Sequence, residues 1–330
     1  MEGIYFFMKI KKFFLIITII LLSITLTSCK RNIKKHYKEF ASVSSEYCNI
    51  PGLDTKFIPQ GMAYNEKYEL ILISGYYSDD NPSSIFILDK MGNEIKKVTI
   101  KTEAGKDYKG HAGGIATYND LVFLSSGKKV YKLGINKIID AKNNESVVVD
   151  RTTKVDLDGA TLFIYENYLF VTEFYYPEDY ETDLSHYVET SNGMNKALAF
   201  GYEIDESNIS GLKSDIPKIA ISIPDKVQGI MIKEDYIYFS TSYGRINDSY
   251  IRKYKNTLSD VATKLYEYNG LKLPLYIIDE KDLIGKMLAP SMSEGICLVN
   301  DKMLILFESG AKKYRLTTKC EVYKIWQSDY

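Results

Sequence analysis

One pattern recurs five times along this chain and restricts its fold more than any other feature. A glycine leads into a short apolar strand, a polar turn follows, and a second apolar strand returns. The copies are PQGMAYNEKYELILISGYY from Pro59, AGGIATYNDLVFLSSG from Ala112, DGATLFIYENYLFVTEFYY from Asp158, VQGIMIKEDYIYFSTSYG from Val227 and SEGICLVNDKMLILFESG from Ser293. Each reads as a β-hairpin. Aligned on Gly61, Gly114, Gly159, Gly229 and Gly295, the copies are spaced by 53, 45, 70 and 66 residues, room for four short strands each and for insertions in the longer two. β-Branched and aromatic runs such as SSIFILDK, EIKKVTIK, KVYKLGI and PKIAISIP fill the gaps. Four antiparallel strands repeated about an axis are the blades of a β-propeller.

The prediction is an all-β fold of five blades. Six is the alternative, because residues 249–288 hold two strand-like runs, SYIRKYK and LPLYIID, that can be divided between blades. The last copy is followed by one strand only, EVYKIW, so the segment before Pro59 is expected to complete it. Pairing of the N- and C-terminal strands would close the ring and remove exposed strand edges. Residues 134–145 and 279–288 read as short helical turns.

The repeat also predicts a site. In a propeller the first strand of each blade runs along the axis and the second returns beside it, so residues entering the first and leaving the second share one rim. Entering are Gln60, His111, Asp158, Gln228 and Glu294; leaving are Tyr76, Ser126, Glu173, Tyr243 with Arg245, and Glu308, followed by Lys312, Tyr314 and Arg315. Such residues suit a small polar or glycan-like ligand or, equally, the capping of unpaired backbone groups near the axis. Asp158 and Glu294 are the nominated acid–base pair, with Glu173 and Glu308 in reserve. Of three histidines, His36 lies before the repeats, His186 in a polar insertion, and His111 among the glycines of GHAGG. The insertion from Tyr175 to Lys196 is acidic and tyrosine-rich and is expected to overhang the same rim.

Before the repeats, Met8-Lys9-Ile10-Lys11-Lys12 is a basic n-region, Phe13 to Ile24 an apolar h-region, and Leu26-Thr27-Ser28-Cys29 follows. This reads as a secretory signal, and Leu-Thr-Ser-Cys resembles the lipobox of bacterial lipoproteins. That resemblance implies a signal peptide at 1–28, lipidation of Cys29 and a body on the outer face of the bacterial cytoplasmic membrane. Residues 29–45 are expected to be a basic tether and residues 46–330 a single domain. Lys plus Arg number 42 against 43 Asp plus Glu. No global field therefore draws in nucleic acid, and a monomer is expected. Cys48 and Cys320 lie near the two ends of the ring, and a disulfide between them is one of the pairings an exported chain permits. Cys297 falls inside a strand and reads as a buried hydrophobe. No His/Cys cluster points to a metal; calcium, through converging oxygen ligands, is the cofactor the rim would suit.

Together PQG, GHAGG, SEG and FESGAKKYR resemble motifs of a group of uncharacterised secreted bacterial propeller proteins, and the architecture is distantly similar to the gluconolactonase and strictosidine-synthase-like propellers. The metal-binding Glu/Asn/Asn/Asp set of the lactonases has no clear match here. Three functions stay open: a lipid-anchored module binding a small ligand or a partner, a hydrolase of glycosides, esters or lactones, and a structural surface protein.

Overall fold

The computed structural model describes residues 32–262 and 264–330. The signal segment and Cys29 lie outside the described residues. Five sheets radiate from an axis. The first blade is Phe57–Asn65, Leu70–Tyr77, Ser84–Asp89 and Glu94–Lys101, and the second is Gly114–Tyr118, Leu121–Ser125, Lys129–Gly134 and Arg151–Lys154. The third is Thr161–Tyr165, Tyr168–Thr172, Ala197–Glu203 and Ile219–Ile223, and the fourth Val227–Lys233, Tyr236–Thr241, Ser249–Lys255 and Leu283–Ala289. The fifth takes Ser293–Val299, Lys302–Phe307 and Lys324–Ser328 from the C-terminal end and its outermost strand, Ser44–Asn49, from the N-terminal end. The expected closure of the ring is therefore present.

Blades stack face to face, so their middle strands are covered on both sides. Leu121–Ser125 is buried at every position, and Lys302–Phe307 at all but its first. This is why these strands read as continuous apolar runs. Outer strands such as Glu94–Lys101 alternate instead, with Val98 and Ile100 inward. The Asn300-Asp301 turn has both residues at positive φ, 49° and 61°, the pairing a two-residue hairpin of type I′ requires.

The repeated glycines are explained by backbone approach at the axis. A Cβ on Gly61 would sit 2.8 Å from the carbonyl oxygen of Gly113, one on Gly229 2.8 Å from that of Glu294, and one on Gly295 2.5 Å from the amide of Met62. No side chain fits between inner strands that close.

Six blades are not formed. Ser249–Lys255 stays in the fourth blade, whereas Leu271–Ile277 crosses back to pair in parallel with Ile219–Ile223 and carries Lys264–Tyr268 with it, widening the third blade to six strands. Similarly, Ser146–Val148 pairs in parallel with Glu94–Lys101. A helix does occupy Ile135–Asp140, but within 279–288 only Glu280–Asp282 is helical and Leu283–Ala289 is a strand.

Two further expectations are revised. Short helices at Ile33–His36 and Lys38–Val43 bring Tyr37 and Phe40, in the segment read as a tether, into the core, where they are 1% and 0% exposed. Phe40 packs on Phe307 and Trp326, ring centres 6.2 and 5.1 Å away. No disulfide joins Cys48 to Cys320. Cys48 is a thiol on the closing strand, in register with Ile325 and against Gly92, while Cys320 lies before its own strand begins. Backbone hydrogen bonding of the two terminal strands seals the ring instead. Cys297 is buried as expected, 8% exposed.

Candidate functional site at the axial mouth

Bulges shape the mouth. The register of inner strand against second strand slips between Pro59 and Gly61, between Val227 and Gly229, and between Ser293 and Ile296. The residues left out of the ladder are Gln60, Gln228 and the pair Glu294-Gly295, at equivalent places in three blades. A bulge leaves its extra residue unpaired and re-aims its side chain. In the second and third blades the equivalent residues, Gly113 and Asp158, precede the strand, and His111 lies two residues before Gly113.

Glu294 and Glu308 form the centre of the site. Glu294 is 4% exposed, and burial, then the charge of Glu308 and a hydrogen bond between the two carboxyls, hold its pKa far above the usual carboxylate range. Glu308 is half-buried. Burial pushes its pKa up to about 7, against hydrogen bonds from Gln60 and Tyr314 and the charges of Lys313 and Arg245, all of which favour the ionised form. Two carboxyls in contact cannot both ionise cheaply. Both carboxyls are therefore held above the usual carboxylate range, and the pair titrates as a unit.

Around the dyad, Gln60 Nε2 donates to Glu308 Oε2 at 2.8 Å, and the Tyr314 hydroxyl lies 3.4 Å from that of Tyr76. Tyr76 stacks flat on His111, centroids 4.4 Å apart at 7°, and accepts from Lys313 Nζ at 3.3 Å. Arg245 lies 5.0 Å over the Tyr314 ring. His111 is depressed below its ordinary pKa by desolvation and then by Lys313, with Asp158 opposing, so it stands neutral at pH 7. Burial and then Glu308 raise the Tyr314 pKa, which keeps that hydroxyl a donor.

The rim expected from the repeat is thus drawn together in part. Gln60, Tyr76, His111, Glu294, Glu308 and Arg245 converge. Asp158, nominated as the partner of Glu294, is exposed and acts on His111, and the carboxyl in contact with Glu294 is Glu308. Glu173 turns into the third blade, where it accepts from the Leu198 amide at 2.9 Å and bonds His186 Nδ1 at 2.8 Å. Arg315 donates to the carbonyls of Gly310 and Leu53 at 2.9 and 2.7 Å, tying loops together. Tyr243 bonds Asp179 and stacks on Tyr176 of the insertion at 3.5 Å, fastening that insertion over the fourth blade. Among the described residues no group of three or more His, Cys, Asp or Glu is arranged to hold a metal ion.

Beyond the dyad the axis turns apolar. Met62, Ile115, Leu162, Ile230 and Ile296, one from each blade, line a cavity of about 390 Å³ that reaches the opposite end at the Tyr64–Lys67 and Tyr118-Asn119 turns. This void lies behind the titratable groups, and none of Gln60, His111, Glu294 and Glu308 lines it.

No protein-family model matches the sequence, and no curated protein matches it. Solved structures similar to it include glutaminyl cyclase of Myxococcus xanthus, 8% identical with a TM-score of 0.45 over 86% of this chain and 92% of that one. A gluconolactonase from Xanthomonas campestris is 11% identical with a TM-score of 0.40 over 83% and 86%. A GH43_1 enzyme from Xanthomonas citri is 10% identical with a TM-score of 0.45 over 88% and 91%. At such identities the likeness concerns fold alone.

Proposed function

We propose that the axial mouth binds a small polar substrate and that the Glu294–Glu308 dyad moves a proton on it, making the protein a hydrolase of esters or lactones. The observation that carries this reading is the geometry of the pair, two carboxyls in hydrogen-bond contact at the axis with Gln60 Nε2 donating to Glu308 at 2.8 Å, in a setting whose burial pushes the Glu308 pKa up to about 7. A group titrating near neutrality is half in its basic form there and suits general base catalysis. In this reading Glu308 takes the proton of a water that attacks the carbonyl carbon, Glu294 positions and tunes Glu308, and Tyr314 or neutral His111 donates to the developing oxyanion; as the tetrahedral intermediate collapses the acyl C–O bond breaks and Glu308 returns that proton to the departing alkoxide. Lys313 and Arg245 would hold an anionic part of the substrate. Carboxyls in hydrogen-bond contact are closer than the roughly 5 to 9.5 Å that glycoside hydrolysis uses, which favours esters and lactones over glycosides. The lipobox resemblance adds an anchor: lipid on Cys29 would hold the propeller at the outer face of the membrane.

The test is turnover of a panel of small esters and lactones, with and without calcium, by wild type and by Glu308→Gln. Hydrolysis that falls by about 10²-fold or more in the variant supports the reading, and equal rates in both would sink it. The Tyr76–His111 stack beside two cations favours a second reading, a binding module. It predicts saturable binding at the mouth without turnover.

A further inference from the structure

A second cavity of about 390 Å³ lies off the axis, between the third and fourth blades. Its walls are the hairpin Val188–Thr190 with Gly193–Asn195 at the end of the insertion, the loop Pro224-Asp225-Lys226 between the blades, and the outer strands Ser249–Lys255 and Leu283–Ala289. Asp279 holds the hairpin in place by accepting from the Ser191 amide at 3.0 Å.

On the two outer strands Arg252 and Lys286 are directly opposed in register. Like charges at opposed positions of an antiparallel pair destabilise a sheet, and a broken local rule with no compensating gain marks a functional place. The compensation here is incomplete. Glu280 accepts from Arg252 Nη1 at 2.9 Å and from the Tyr254 hydroxyl at 3.1 Å, but Arg252 Nε is buried with no hydrogen-bond partner among the described residues. Lys286 makes no ion pair among the described residues; its Nζ rests 4.2 Å over the Tyr250 ring. Burial and then Arg252 hold the Lys286 pKa below its ordinary value, while Glu280 opposes them. Lys226 adds a third cation to the wall. The carboxyls are weak counterweights: burial raises the pKa of Asp225, and Asp248 is engaged by Lys319 at 3.1 Å and Tyr37 at 2.9 Å.

We propose that this cavity is a second ligand site, which takes a small molecule through a carboxylate or phosphate group held between Arg252 and Lys286, with the Tyr250 ring beneath it. The bound anion supplies a second negative charge beside Glu280, which alone among the described carboxylates is bonded to the opposed pair. The site is separate from the dyad, since none of Gln60, Glu294 and Glu308 lines it.

The experiment titrates inorganic phosphate and, separately, citrate into the full chain at constant ionic strength, following melting temperature and heat of binding. Wild type is expected to show saturable stabilisation, and the anion that saturates at lower concentration distinguishes phosphate from carboxylate ligands. Arg252→Met and Lys286→Gln should each weaken it at least tenfold, while Glu308→Gln leaves it unchanged. Without anion, Lys286→Gln should melt above wild type, because it relieves the like-charge pair. No saturable shift in wild type, an equal shift in Lys286→Gln, or an anion-free Lys286→Gln that melts below wild type would overturn the proposal.

Discussion

Gln60 and Glu308 meet at 2.8 Å across the seam of the ring, one entering the first blade and the other leaving the second strand of the fifth. The amide stabilises the ionised carboxyl from a neighbouring blade. Gln60→Ala should therefore move the Glu308 titration upward from about 7, by roughly one pH unit if the bond is of ordinary charge-assisted strength. Carboxyl infrared or carbon NMR titration reads this directly, and an unchanged midpoint would mean the bond does not form.

Glu308 also makes stability depend on pH. Its folded pKa of about 7 lies above the ordinary 4.5, so the folded chain binds the proton more tightly than the unfolded chain does. That stabilisation is complete below 4.5 and is lost as pH rises through 7. Wild type should lose on the order of 2–3 kcal/mol between pH 5 and 8 that Glu308→Gln retains. Parallel denaturant midpoints for the two proteins across that range would refute it.

Phe40 joins the N-terminal helices to the closing blade. Phe40→Ala should cost about 3–5 kcal/mol and lower the melting temperature of the whole domain rather than fray its end. A local loss of helix with the main transition intact would show that these helices are an appendage.

Glu173 is a contrast to Glu308. Removing it leaves the buried Leu198 amide and His186 without their acceptor, so Glu173→Ala should destabilise by roughly 2–4 kcal/mol. The titration of Glu308 should stay where it was. A shifted dyad in this variant would place Glu173 in the same electrostatic unit.

Cys48 is a thiol whose pKa burial pushes up to about 12. Alkylation at pH 8 should be much slower than for a free cysteine, and reducing agent should leave the melting temperature unchanged. Mass spectrometry after quenching at timed intervals measures the rate.

The architecture was legible because it is repetitive. Five glycines at the axis and apolar runs covered on both faces announce blades without tertiary information. Gln60, Glu294 and Glu308 were legible as rim positions by the same repeat. Their partners were not, because a bulge displaces Glu294 and only distance decides that Glu308 rather than Asp158 touches it. Successive turns after Glu308 carry Lys313 and Tyr314 to the mouth and send Arg315 to Leu53, a divergence that adjacency in sequence conceals. His186 looked like part of a solvated insertion, yet it closes over Glu173. Arg252 and Lys286 lie far apart along the chain and become neighbours only through strand register.

Since the outermost strand of the fifth blade comes from residues 44–49, synthesis delivers it first and its partner last. Ser45 and Gln327, bonded side chain to side chain, are 282 residues apart. A ribosome adding 5–20 residues per second needs on the order of tens of seconds between the two. Throughout that interval the nascent propeller is an open arc, with the edge of its final blade unpaired. Sealing is a contact of very high sequence separation, so it belongs late in folding. A chain broken off anywhere before Lys324 would release an arc that cannot close and is open to pairing with another chain.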